Sequence, residues 1–284
     1  LSFLPFGEGW GGENNRINKN IMSESLIVPT MAEMLAQGKQ PEVLFWVGCA
    51  GSFDDRAKKI TKAFVRILNR ANVSFAVLGT EESCTGDPAK RAGNEFLFQM
   101  QAMMNIEVLN GYEAKKIVTA CPHCFNTLKN EYSELGGKYE VVHHTEFLKS
   151  LLDDGRLTIE GGQFKGKRIT FHDPCYLGRA NNVYEAPRDL ILKLDAELVE
   201  MKRSKANGLC CGAGGAQMFK DAESGNKEIN VERTEDALET KPEIIAAGCP
   251  FCNTMMTDGI KNKEKEDDVK VMDIAELIAN AQDL

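Results

Sequence analysis

Lys116-Ile117-Val118-Thr119-Ala120-Cys121-Pro122-His123-Cys124 is answered further along the chain by Glu243-Ile244-Ile245-Ala246-Ala247-Gly248-Cys249-Pro250-Phe251-Cys252. In both stretches a short apolar run leads straight into Cys-Pro-x-Cys. A run of that length with no helical period reads as a buried strand of a parallel sheet. The cysteine pair then opens the next helix, where free N–H groups and the helix dipole favour thiolate.

The same grammar extends outward. Val43-Leu44-Phe45-Trp46-Val47 runs into Gly48-Cys49, and Arg168-Ile169-Thr170-Phe171 ends just before Cys175. Further strands are predicted over 75–78, 140–142, 198–201 and 269–272. Between them lie helical stripes over 56–72, 88–105, 124–135, 145–152, 187–194, 227–239 and 274–281. Phe147-Leu148 also answers Glu276-Leu277. The alternation predicts an α/β protein of two tandem, duplicated domains. Each has a parallel sheet flanked by helices, with ligand cysteines at the carboxyl ends of strands. The domains are expected at 41–165 and 166–284, divided near Gly161-Gly162 and Gly166, with 1–40 as an N-terminal segment. Residues 1–21 carry no period and read as disordered or non-native, with Met22 as the natural start. The mixed run from Lys261 to Asp268 reads as a solvated loop.

All nine cysteines fall on the repeat. The first set is Cys49, Cys84, Cys121 and Cys124; the second is Cys175, Cys210, Cys211, Cys249 and Cys252. Pairing 49 with 175, 84 with 211, 121 with 249 and 124 with 252 gives offsets of 126, 127, 128 and 128. One buried cysteine is an ordinary small hydrophobe. Nine on a duplicated spacing call for a soft metal centre, since thiolates hold iron–sulfur clusters and structural zinc. In this register Ser83 stands where Cys210 stands in the second set.

The net charge of −8 argues against a nucleic-acid footprint. No stretch approaches the roughly 18 apolar residues of a membrane span, and residues 1–20 lack the pattern of a secretory signal. A cytoplasmic protein using its thiols for metal or redox work is therefore expected, rather than a disulfide framework. Neither G-x-G-x-x-G after a strand nor a P-loop is present.

Cys175, then Cys210-Cys211-Gly212, then Cys249-Pro250-Phe251-Cys252 resembles the cysteine-rich CCG domain. That domain occurs in tandem in cysteine-rich heterodisulfide reductase subunits and in iron–sulfur subunits of glycolate and lactate oxidases. It also occurs in the C-terminal part of electron-transfer-flavoprotein:menaquinone reductases. The stretches around Ser83-Cys84-Thr85-Gly86-Asp87-Pro88 and His172-Asp173-Pro174-Cys175-Tyr176-Leu177-Gly178-Arg179 look most like the last group. The resemblance covers about residues 41–284.

It implies an electron-transfer role in a heterodisulfide-reductase-like complex. The second set would hold a 4Fe–4S cluster, of non-cubane type where all five cysteines serve. The first set, with four, suits a 4Fe–4S cubane or zinc. Gly212 and Gly214 would bring backbone N–H groups to inorganic sulfide, with Gly86 and Gly51 doing so in the first domain. His172 would hydrogen-bond near the cluster or serve as a core histidine, and His123 would tune it or act as a spacer. His143-His144 are expected at a helix cap or on the surface. Ser83 is either an oxygen donor or a turn residue. The ferredoxin run C-x-x-C-x-x-C-x-x-x-C-P is not found. The implied partners are therefore a ferredoxin-type iron–sulfur or membrane-anchor subunit and a flavoprotein, with the chain peripheral at the inner face of the cytoplasmic membrane. Two other functions compete: a thiol–disulfide oxidoreductase using Cys121 and Cys124, and a zinc-stabilised binding module.

Overall fold

The structure, a computed structural model, describes residues 26–221 and 224–284. The expectations for residues 1–21 and Met22 lie outside the described residues.

Two all-parallel sheets organise the chain. The first joins β1 (Val43–Trp46), β2 (Phe75–Ala76), β3 (Lys116–Thr119) and β4 (Glu140–His143) in the order β2-β1-β3-β4. The second joins β5 (Arg168–His172), β6 (Glu197–Leu198), β7 (Ile244–Ala247) and β8 (Lys270–Asp273) in the order β6-β5-β7-β8. The matching orders bear out the duplicated α/β architecture. Each order reverses direction between its two central strands, and there the crevice beyond the carboxyl ends opens. Cys49 and Cys121 follow β1 and β3; Cys175 and Cys249 follow β5 and β7.

The helices are α1 (Met31–Ala36), α2 (Gly48–Phe53), α3 (Ala57–Arg70), α4 (Asp87–Arg91), α5 (Glu95–Gly111) and α6 (Pro122–Asn126) in the first half. They continue as α7 (His144–Asp153), α8 (Glu185–Leu192), α9 (Ile229–Glu239), α10 (Pro250–Asn262) and α11 (Ile274–Ala281). Alternation along β1 sends Val43 and Phe45 to one face and Leu44 and Trp46 to the other. Val43 and Phe45 join Ile169 and Phe171 of β5 in a single core. Buried residues of α3, α7, α8 and α11 fill the space between the sheets. The two halves are therefore bonded by shared apolar burial. The opposite faces of the sheets belong to a second core, which contains Cys121, Cys124, Cys211, Cys249 and Cys252.

Several local expectations are corrected. The helix over 88–105 is two helices: Gly93 at φ +86 breaks it, and Asn94 caps α5 by accepting from the Leu97 N–H at 3.1 Å. The helix over 124–135 begins at Pro122, widens to a π-helix at Thr127–Glu131 and tightens to a 3₁₀ turn at Tyr132–Leu135. The edge strands β2 and β6 keep only two residues each. Helix α1, carried by a Thr30–Glu33 capping box, and helix α2 were not expected. At the N-caps of α7 and α11, Glu146 matches Glu276, since both close capping boxes onto His143 and Asp273. Phe147 therefore answers Leu277.

Candidate metal centres

In the first centre β1 turns straight into α2, with Gly48 at φ +78. A β-carbon on Gly48 would lie 3.4 Å from Cys124 Sγ, so the residue before one thiol packs on another. The Glu82 carboxylate accepts from the Val47 and Gly48 N–H groups at 2.9 and 2.6 Å. It thereby ties this turn to the loop that carries Cys84. Cys121 is the N-cap of α6, and Cys124 lies in its first turn. The thiols interact in pairs, Cys49 with Cys84 and Cys121 with Cys124. Hydrogen bonding from its partner lowers Cys84 to about 7 and Cys121 to about 7, while Cys49 and Cys124 are pushed up. Cys124 Sγ lies against Gly48, next to Cys49, and 3.9 Å from the hydroxyl of Thr85, next to Cys84, so the two pairs face one another.

The second centre repeats this with a fifth thiol. Cys175 hydrogen-bonds Cys210, which drops well below the ordinary thiol range. The sulfurs of Cys211 and Cys252 are 3.3 Å apart, and the Cys252 N–H meets Cys249 Sγ at 3.4 Å. All nine cysteines are free thiols. Thiols from three separate loops thus lie near one another in each half.

The register between the two sets is corrected. The Gly86 N–H donates to Cys84 Sγ at 3.4 Å, and the Gly212 N–H donates to Cys210 Sγ at 3.3 Å. Both glycines have positive φ, +87 and +91. Cys84 therefore matches Cys210, at the same 126-residue offset as Cys49 and Cys175. Thr85 matches Cys211: its hydroxyl lies 3.9 Å from Cys124 Sγ, and it is 2% exposed against 3% for Cys211. Ser83 is no counterpart of a ligand, because its hydroxyl donates to Asn105 Oδ1 at 2.8 Å. Gly51 also takes a different part. A β-carbon there would come 2.7 Å from Thr61 Oγ1, so it is needed for the close approach of α2 and α3.

His172 is completely buried, and Arg233 Nε donates to its Nδ1 at 3.0 Å. One of its ring nitrogens lies within 4.8 Å of the Cys211 and Cys252 sulfurs. Burial, reinforced by the Arg233 charge, pushes His172 down to about 3, so it is neutral. The adjacent Asp173 takes both terminal nitrogens of Arg188 at 2.8 and 2.9 Å and the Lys205 N–H at 2.7 Å. It thereby fixes the approach to Cys175 against the segment leading to Cys210.

His123 stands between the two centres. It pairs with Asp87 at 2.9 Å and contacts the rings of Tyr176 (4.6 Å) and Phe251 (5.5 Å) from the other half. Its Cε1 would lie 3.7 Å from a β-carbon on Gly214. Burial pulls His123 down, but Asp87 together with the fields of Cys121 and Cys249 raises it to about 9. His143 caps α7 as expected, yet neither it nor His144 is at the surface. Both are fully buried, in a line Thr145–His143–His144–Asp273 with contacts of 2.7, 3.2 and 2.9 Å that crosses between the halves. Sequence reading passed over Trp46, Thr85, Asp87 and Arg233. Only Thr85 and Asp87 carried a signal, through their place beside Cys84 and Gly86.

The family model "Cysteine-rich domain" (CCG) matches the chain twice, at residues 43–129 and 169–257. The probable iron–sulfur-binding oxidoreductase FadF of Bacillus subtilis is 47% identical over 97% of this chain and 39% of its own length. The EtfAB:quinone oxidoreductase of Syntrophomonas wolfei is 42% identical over 99% of this chain and 39% of its length. A subunit of the dihydromethanophenazine:CoB–CoM heterodisulfide reductase of Methanosarcina barkeri is 36% identical over 84% of this chain and 59% of its length. The chain thus spans well under two thirds of the length of each of these relatives.

Proposed function

Because this chain belongs to the cysteine-rich CCG domain family, with two copies of the domain, we propose that it is the iron–sulfur electron-transfer part of a heterodisulfide-reductase-like oxidoreductase. The carrying observation is the gathering of Cys175, Cys210, Cys211, Cys249 and Cys252 beside buried His172, whose Nε2 has no partner among the described residues. Five thiols with a spare polar atom among them suit a bound inorganic group better than an apolar core.

Cys175, Cys210, Cys211, Cys249 and Cys252 would hold a 4Fe–4S group, of non-cubane type if all five serve. Cys49, Cys84, Cys121 and Cys124 would hold a 4Fe–4S cubane or zinc. When bound, such groups supply one-electron redox chemistry. The chain's own part is to hold thiolates with the Gly86 and Gly212 N–H groups and to keep water from the buried sulfurs. Gly212 and Gly214 line the second centre in this reading, and His172 sits behind it. The adjacency of the centres across His123 and Phe251 supports relay between them.

The proposed partners are a ferredoxin-type iron–sulfur or membrane-anchor module and a flavoprotein, with a quinone or disulfide-type acceptor. Among the described residues no helix is long and apolar enough to cross a membrane. A place at the inner membrane face would therefore come through a partner. The dithiol reading is disfavoured because Cys121 and Cys124 are both buried. Anaerobic reconstitution tests the proposal. About four irons with matching sulfide per full site are expected, and a colourless zinc protein would overturn it.

A further inference from the structure

β1 and β5 are matched strands: Cys49 and Cys175 follow them at the same distance, 126 residues apart. The residue three positions before each is Trp46 in one and His172 in the other. Trp46 faces the core that contains Cys121 and Cys124. His172 faces the same way on its sheet, since its neighbour Phe171 points to the opposite core. Both side chains are 0% exposed. Each ends in a ring nitrogen with no hydrogen-bond partner among the described residues, Trp46 Nε1 and His172 Nε2.

The two nitrogens have the same chemistry. An indole nitrogen is only a donor. A guanidinium also has only donors, so the Arg233 Nε–H to His172 Nδ1 contact makes Nδ1 the acceptor. The proton of the neutral ring then sits on Nε2. That tautomer excludes Nε2 as a metal ligand and leaves it an N–H donor. Two unlike residues therefore present one thing at matched sites: a buried, unpaired N–H. A lone orphan of this kind is costly and rare. Its recurrence in both halves points to an acceptor common to both, and sulfur is what the two centres share.

We propose that Trp46 Nε1–H and His172 Nε2–H are matched hydrogen-bond donors to the sulfur of whatever group each centre holds, Arg233 being the residue that sets the His172 tautomer. This rests on the metal-centre reading above. An N–H directed at sulfur stabilises the electron added on reduction, so in a redox centre the donor raises the potential.

The test uses the full chain, reconstituted anaerobically with iron and sulfide. His172→Phe is expected to keep iron and sulfide and to shift the second centre to lower potential. The shift should be about tenfold in the oxidised-to-reduced ratio, about 59 mV for a one-electron couple. His172→Gln, which restores an N–H, should recover part of the shift. An iron-replete His172→Phe protein with an unchanged potential overturns the proposal. In the native protein, an exchangeable proton coupled to the reduced second centre should appear by electron–nuclear double resonance after transfer from D₂O to H₂O. Its absence overturns the His172 assignment whatever the variants do. For Trp46 the probe is cadmium, which thiolates bind without paramagnetism. Loading should move the indole N–H resonance of Trp46, identified by its loss in Trp46→Phe, and an unmoved resonance overturns that half. Native protein that takes up neither iron, sulfide nor cadmium overturns the metal-centre reading itself, a result distinct from replete centres with unchanged potentials.

Discussion

Thr85 Oγ1 lies 3.9 Å from Cys124 Sγ in the first centre, in the place where Cys211 Sγ lies 3.3 Å from Cys252 Sγ in the second. A hydroxyl is a poor substitute for thiolate toward a soft metal. The two thiol sets therefore differ by a hydroxyl in place of a thiol on one side chain, held by the same Cys-x-Gly turn.

Thr85→Cys should complete a five-thiolate set in the first centre. Its metal affinity is expected to rise by about tenfold or more, the order seen when one well-placed group near a metal is gained or lost. The absorption and paramagnetic spectra of the first centre should come to match the second. Ser83→Cys, which a pairing of Cys84 with Cys211 would favour, should change neither, because Ser83 points to Asn105. Metal titration and spectra of both variants decide between the two registers.

Cys211→Ala should leave the second centre with four thiols, Cys175, Cys210, Cys249 and Cys252, the complement of the first. Its metal affinity is expected to fall by about tenfold or more, and its absorption and paramagnetic spectra should come to match those of the first centre, whose own spectrum is kept. Weakening of both centres would show that they fold as one unit, and an unchanged second centre would remove Cys211 from the ligand set.

The metal-free, reduced protein should show its charge arrangement through pH. Cys84, half-buried, is lowered to about 7 by the hydrogen bond from Cys49, helped by the Gly86 N–H. A depressed thiol pKa means thiolate is present above that value and lost as pH falls through it. Alkylation of Cys84, followed by peptide mass spectrometry, should therefore rise through about pH 7. Cys49→Ala should return the midpoint toward the ordinary ~8.5 and slow labelling at neutral pH by about tenfold.

What the sequence made legible were features that repeat with the chain's own period. Apolar strands running into cysteines gave both sheets, and the doubled Cys-Pro-x-Cys located the thiols. The offsets of 126 and 128 on either side left the loop of Cys84 free to pair with Cys210 or Cys211. The glycine N–H contacts choose between these, together with the placing of Ser83 and Thr85. The His143–His144 pair looked like a surface cap, because its partner Asp273 lies 129 residues away on the matching cap. Trp46 and Arg233 gave no signal, since each reads as an ordinary strand or helix residue until the fold buries it. The 88–105 helix failed for a local reason, the weight given to apolar spacing over Gly93-Asn94.

The last prediction concerns how the second centre is braced. Arg188 is 3% exposed and spans two carboxylates, Asp173 at 2.8 and 2.9 Å and Glu200 at 2.6 and 2.9 Å, while stacking 5.3 Å from the Phe171 ring. Asp173 stands two residues before Cys175 and also accepts from the Lys205 N–H, on the segment that runs to Cys210. Arg188→Met keeps much of the volume but strands a buried carboxylate, which costs about 3–5 kcal/mol. Urea unfolding of the metal-free protein should register that loss. Adding Asp173→Asn should recover part of it, since the uncompensated charge is gone. Because Cys175 and Cys210 are both tethered to Asp173, the single variant should also weaken metal binding at the second centre by about 10–100-fold. The first centre, which has no tie to Asp173 among the described residues, should bind as before. Equal weakening of both centres would mean that Arg188 supports the shared core rather than the cysteine loops.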